Sequence, residues 1–156
     1  METLSKVDDI QYISSKMKVP RNKVKLIIDT YIKYVKEKIS SGETIGFLRI
    51  CDFVVKDYDG PRETLGYVCH EVGNKIDVPG DLVKNVLLYY ETSIINDLKK
   101  YRGHTITGVM RLRMIKSYNG KIVLDAARSS SIVRGSSVYL SARKSFKRKV
   151  EVTDDR

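Results

Sequence analysis

Residues 10–39 read IQYISSKMKVPRNKVKLIIDTYIKYVKEKI, and residues 69–98 read CHEVGNKIDVPGDLVKNVLLYYETSIINDL. The apolar spacing of the first stretch returns, without a gap, fifty-nine residues later. Ile10, Ile13, Met17, Val19, Pro20, Val24, Ile27, Ile28, Tyr31, Val35 and Ile39 are echoed by Cys69, Val72, Ile76, Val78, Pro79, Val83, Val86, Leu87, Tyr90, Ile94 and Leu98. Two copies are too few for a stacked solenoid, so the chain reads as a fused pair.

Within each copy, Val24, Ile27, Ile28, Tyr31, Val35 and Ile39 and their mates recur at three and four residues, which predicts one buried face of a long helix. Val19-Pro20 and Val78-Pro79 precede that helix, where proline's fixed φ and missing N–H suit a first turn. A shorter amphipathic helix leads into each proline. A two-helix unit with one apolar stripe cannot bury it alone, and the second copy supplies the partner.

The 156 residues suffice for two halves sharing a core. Met1 to Lys18 carries charges throughout and resembles no signal peptide, and no segment approaches a membrane span, so a soluble intracellular protein is expected. Cys51 and Cys69 form no C-x-x-C pair and read as small buried apolar residues. The net charge of +10 is unevenly spread: residues 101–156 hold thirteen Lys or Arg against four Asp or Glu, whereas residues 1–59 hold eleven against nine. A basic sector beside a near-neutral helical body suits a polyanion, with nucleic acid first and an acidic protein surface or anionic membrane next.

Residues 1–59 form the first unit, with two short strands within Thr44 to Lys56, and the turn chemistry of Asp57 to Glu63 marks the boundary between the copies. Residues 60–156 form the second, with Thr64 as an N-cap, a first helix weakened by Gly66 and Gly73, and a long helix from about Pro79 to Lys100. Tyr101-Arg102-Gly103 reads as two residues more than the first copy has at this point. Asn119-Gly120 predicts a two-residue hairpin turn joining Arg111–Tyr118 to Lys121–Ala126. Val138-Tyr139-Leu140 reads as a last strand, and Ser141 opens a basic helix through Val150 anchored by Phe146. The fold class is therefore α+β, two tandem units with a basic C-terminal helix.

This order resembles the bacterial histone-like HU and integration host factor family. Ile13 and Lys16 to Val19 are similar to its first helix and joint, Ser41-Gly42-Glu43 to its turn into the sheet, and Leu48 to Val55 to its Phe motif, with Ile50 and Phe53 in the two aromatic places. Val138 to Lys147 resembles its closing strand and basic helix. The resemblance implies a pseudo-dimer within one chain, with interlocked helices beneath a sheet saddle that holds double-stranded DNA. The family's arms end in a proline wedge. Here Arg49 and Cys51 stand where the family keeps glycines, Asp57 to Pro61 is short and acidic, and no proline follows Pro79, so backbone binding is expected rather than intercalative bending.

The expected function is an architectural DNA-binding protein with little sequence preference. Its phosphate-gripping residues are Arg111, Arg113, Lys116 and Lys121 on the hairpin, Arg128 and Arg134 on the following loop, and Arg143, Lys144, Lys147 and Arg148 at the last helix. Alternation places Arg111 and Arg113 opposite Met110, Leu112 and Met114. Tyr31, Tyr34, Tyr89 and Tyr90 read as core and interface, whereas Tyr118 and Tyr139 suit base stacking. A second reading is an assembly component, of a virus particle or nucleoprotein machine, that keeps the fold mainly for protein contacts. Neither His70 nor His104 has ligand spacing to a second group, and there is no phosphate loop or nucleophile motif, so no enzyme, metal or cofactor is expected. The location that follows is cytoplasmic, with nucleoid or virion association.

Overall fold

A computed structural model of the chain describes residues 2–116, 119–128 and 138–147. The order among them is α1 (Glu2–Met17), α2 (Arg21–Ser40), β1 (Ile45–Phe47), β2 (Cys51–Val55), α3 (Leu65–Ile76), α4 (Gly80–Lys99), β3 (His104–Ile106), β4 (Met110–Lys116), β5 (Ile122–Arg128) and β6 (Val138–Ala142), then a helical turn at 144–147. The architecture is α+β with two three-stranded antiparallel sheets. An offset of 59 carries α2 onto α4, β1 onto β3 and the start of β2 onto the start of β4.

The same offset holds at the joints. Lys18 and Asp77 both take left-handed backbone, at φ 56° and 55°. Val19 N donates to Ser14 O at 3.3 Å, and Val78 N to Gly73 O at 2.9 Å. Ser14 Oγ returns a bond to Val19 O at 2.6 Å, whereas at Gly73 the Val78 carbonyl lies where a Cβ would stand. Gly73 therefore lets α3 close onto its joint rather than weakening it. Thr64 caps α3 as expected, its side chain accepting from Tyr67 N.

Both long helices end in the same pair of bonds. Glu43 N reaches Lys38 O and Gly42 N reaches Ile39 O, each at 3.0 Å; Arg102 N reaches Asp97 O and Tyr101 N reaches Leu98 O, at 2.9 and 3.0 Å. This is the Schellman closure, whose left-handed residue is Gly42 (φ 80°) in one copy and Tyr101 (φ 59°) in the other. No extra residues separate the copies here, contrary to the sequence reading, because Tyr101 itself, not Gly103, takes glycine's place.

The helices pack crosswise between halves, α1 on α4 and α3 on α2, as well as within each pair. Ile13, Ile27, Ile28, Val35, Val72, Val86, Leu87 and Ile94 are all fully buried, and one apolar cluster runs through both halves. Each such side chain contributes about 1.5–3 kcal/mol relative to exposure. Tyr31 and Tyr90 lie in that core, while Tyr89 is part-exposed and stacks edge-on to Tyr12 with ring centroids 6.4 Å apart. Cys51 and Cys69 are free and buried.

Chain order and sheet order part company at the end. β6, which the sequence groups with residues 60–156, hydrogen-bonds to β2, giving the order β1-β2-β6, while β3-β4-β5 form the other sheet. Its register runs from Cys51 opposite Ala142 to Val55 opposite Val138. The first sheet is thus completed by the far end of the chain. Alternation explains the fit: Val138 is buried, Leu140 and Ala142 are part-buried beside the core, and Tyr139 and Ser141 face away.

The hairpin forms, but one residue out of the expected register. Lys116 stands opposite Ile122, Arg113 opposite Asp125 and Leu112 opposite Ala126. A two-residue Asn119-Gly120 turn would instead set Met114 against Asp125, placing a carboxylate on the buried face. Core burial of Met110, Leu112, Met114 and Leu124 outweighs the local turn preference.

Candidate nucleic-acid interface

The solvent face of the second sheet carries Thr105, Arg111, Arg113 and Asp125, while His104, Ile106, Met110, Leu112 and Met114 point inward. Arg111 is half-buried, and its Nη1 donates to Thr105 Oγ1 at 3.0 Å. Its guanidinium lies where a Cβ on Gly103 would stand, so that glycine seats the arginine. Arg113 is exposed but engaged, Nε and Nη2 each lying 2.9 Å from Asp125 Oδ2. Lys116 and Lys121 stand exposed on either side of the tip, where Lys121 N donates to Asn119 Oδ1 at 3.2 Å.

The face of the first sheet differs. Position 52 is aspartate where its mate at 111 is arginine, and Asp52 is held by Arg62 at 2.7 Å. The neighbouring outward positions are Gly46, Val54, Ser141 and Tyr139, the last 57 % exposed. No strand residue described on that face is cationic.

Beyond β6 the basic segment docks on the β1–β2 turn. Arg143 N donates to Ile50 O at 3.0 Å and Arg143 Nη1 to Leu48 O at 3.4 Å, while Ser145 Oγ donates to Arg49 O at 3.4 Å. Phe146 is buried, as its anchoring role requires, and Lys144 and Lys147 are exposed. Arg143 is thus partly a structural residue.

Among the described residues, the cations selected from sequence separate into a hairpin group and a group beside the first sheet. Arg128 closes β5 opposite Met110, and Arg134 and Arg148, like Tyr118, lie outside the described residues.

Two further clusters escaped the sequence reading. Arg49, in the β1–β2 turn, meets the buried Glu91 of α4: its backbone N donates at 2.8 Å, Nη2 at 2.6 Å and Nε at 3.0 Å. The Glu91 hydrogen bonds hold the Arg49 pKa above its usual value. Asp9, Asp97 and His104 gather with one ligand atom of each within 4.8 Å of the others. The available signal was a break in the repeat, since Glu91 replaces Ile32 and His104 replaces Ile45 at positions that ought to be apolar.

A scan of protein-family models, a search of curated proteins and a search of solved structures each return no match.

Proposed function

We propose that the chain is an HU-like architectural DNA-binding protein, a pseudo-dimer fused in one polypeptide that grips duplex phosphates with little regard to sequence. The observation that supports this reading most directly is the basic solvent face of the β4–β5 hairpin, with Arg111 and Arg113 outward, Lys116 and Lys121 at its end and the methionines of the same strand buried. Lys144 and Lys147 supply a second exposed group, to which Arg143 and, by sequence, Arg148 belong; Arg128 and Arg134 are counted with the hairpin by sequence alone. Tyr139 offers an aromatic face for stacking. Lysine and arginine neutralise phosphates and release counterions, so binding falls steeply with salt. Association with a nucleoid or a packaged viral genome fits this role.

Binding of the purified chain to a random-sequence duplex across a salt series tests the reading. Micromolar or tighter affinity with a strongly negative log K against log salt slope is the expected result. The charge reversal Lys116→Glu, Lys121→Glu, Lys144→Glu, Lys147→Glu abolishes retention; Arg143 is left intact because it holds the β1–β2 turn. Unchanged retention counts against the proposal.

One observation favours a protein-assembly role as the second reading: Arg113, Arg62 and Arg49 all have intramolecular carboxylate partners, which lowers the charge offered to a polyanion. Weak duplex binding even at low salt selects that reading.

A further inference from the structure

The geometry points to a divalent-metal site at Asp9, Asp97 and His104. These residues come from three elements: Asp9 from α1, Asp97 from the last turn of α4, and His104 from the first position of β3. The helix closure at Arg102 and Tyr101 brings β3 back beneath α4, and the crossed packing of α1 on α4 delivers Asp9.

One ligand atom of each residue lies within 4.8 Å of the other two. Around a tetrahedral ion with bonds of about 2.1 Å, ligand atoms stand roughly 3.4 Å apart, so small side-chain rotations close the set. His104 is 5 % exposed, and its Nε2 is 2.7 Å from Tyr90 Oη. Nδ1 is then the ligating nitrogen, with Tyr90 fixing the ring from the other side, the arrangement that orients imidazole ligands. A divalent cation held between two carboxylates this close relieves their mutual repulsion. Arg102, its side chain largely exposed, places Nη1 4.0 Å from Asp97 Oδ1. Two oxygens and one imidazole nitrogen suit a first-row divalent ion of the zinc class, with water in the remaining position.

The repeat supplies a control inside the same molecule. The positions 59 residues away are Val68, Lys38 and Ile45, on α3, α2 and β1. Val68 and Ile45 are buried apolar residues, and Lys38 is paired with Glu43 and Glu63. A carboxylate from the first copy and a carboxylate and an imidazole from the second therefore meet where the symmetry-related positions hold a valine, a lysine and an isoleucine. Three substitutions that converge on one point are more than fold maintenance requires.

The test uses the full chain after treatment with a chelator. Titration with Zn2+ by calorimetry gives one site per chain, Tm rises with Zn2+ concentration, and Co2+ gives the visible absorption of a protein-bound ion. Asp97→Asn and His104→Gln each weaken Zn2+ binding by about tenfold or more while leaving the far-UV spectrum of the apo chain unchanged. If either variant fails to fold, the cobalt spectrum and the stoichiometry of the unsubstituted chain decide. Absence of heat, Tm shift and cobalt absorption overturns the proposal, as does full-strength binding retained in folded Asp97→Asn and His104→Gln.

Discussion

Arg49 and Glu91 carry charge at two positions where their repeat mates, Gly108 and Ile32, carry none, and they meet at 2.6 Å across the boundary between the halves. Glu91 is almost fully buried and Arg49 about half exposed. Their removal is therefore unequal. Arg49→Ala strands a buried carboxylate and costs on the order of 3 kcal/mol. Glu91→Leu frees an arginine that turns into water, and loses chiefly the acceptor of the Arg49 backbone N–H, about 1–2 kcal/mol. Urea unfolding of both variants checks the order; the reverse order contradicts this account.

Asp125 limits what Arg113 can offer to a phosphate. Asp125→Asn releases the guanidinium without changing the strand register, so duplex affinity rises and the log K against log salt slope steepens by about 0.9 for one added contact. Fluorescence anisotropy at several salt concentrations measures both. An unchanged slope places Arg113 away from the DNA.

Phe146 is buried in the segment that docks on the β1–β2 turn through Arg143 and Ser145. Phe146→Ala costs about 3–5 kcal/mol, and hydrogen exchange reports where. Protection is lost at Cys51–Val55 and retained at Met110–Lys116, although Phe146 lies nearer the latter in sequence. Loss confined to the β4–β5 hairpin contradicts the strand order found here.

Tyr101 holds a backbone conformation that glycine holds at the other helix end. Its side chain is 56 % exposed, so Tyr101→Gly removes left-handed strain without opening a cavity. Stability rises by roughly 0.5–1 kcal/mol after the entropic cost of glycine, read as a higher Tm.

Alkaline pH weakens the fold. Burial lifts the Cys69 thiol from 9.0 to about 11, and burial pushes Tyr31 and Cys51 further upward. In this window the folded chain binds more protons than the unfolded one, so stability declines as pH rises from about 9 to about 11. Cys69→Ala flattens that slope in urea midpoints measured across the range.

The repeat, both helix pairs, the Thr64 cap and the buried face of β4 were legible because each is written in local spacing. What was not legible depends on partners distant in sequence. Asn119-Gly120 signals a turn but not its register, which Leu112, Met114 and Leu124 decide from the core. Tyr101 looks like a residue after a helix, and only the bonds to Asp97 and Leu98 reveal it as the closure. The cations of the candidate interface were found by composition; that Arg113 faces Asp125 and that Arg143 docks on Leu48 required the sheet. Comparing the copies position by position exposes the rest, since Glu91 against Ile32 and Arg49 against Gly108 are paired departures from one pattern.

The return of β6 to β2 sets the timetable of biosynthesis. β1 and β2 leave the ribosome early, yet the strand that covers the open edge of β2 follows only after roughly eighty further residues, on the order of 4–16 s at ordinary elongation rates. Through that interval β2 exposes unpaired backbone N–H and C=O groups beside Phe53, a template for pairing with a neighbouring nascent chain. A ribosome stalled before Val138 holds a chain whose second sheet has all of its strands and whose first does not. Arrival of β6 is thus what ends the chain's exposure to misassembly.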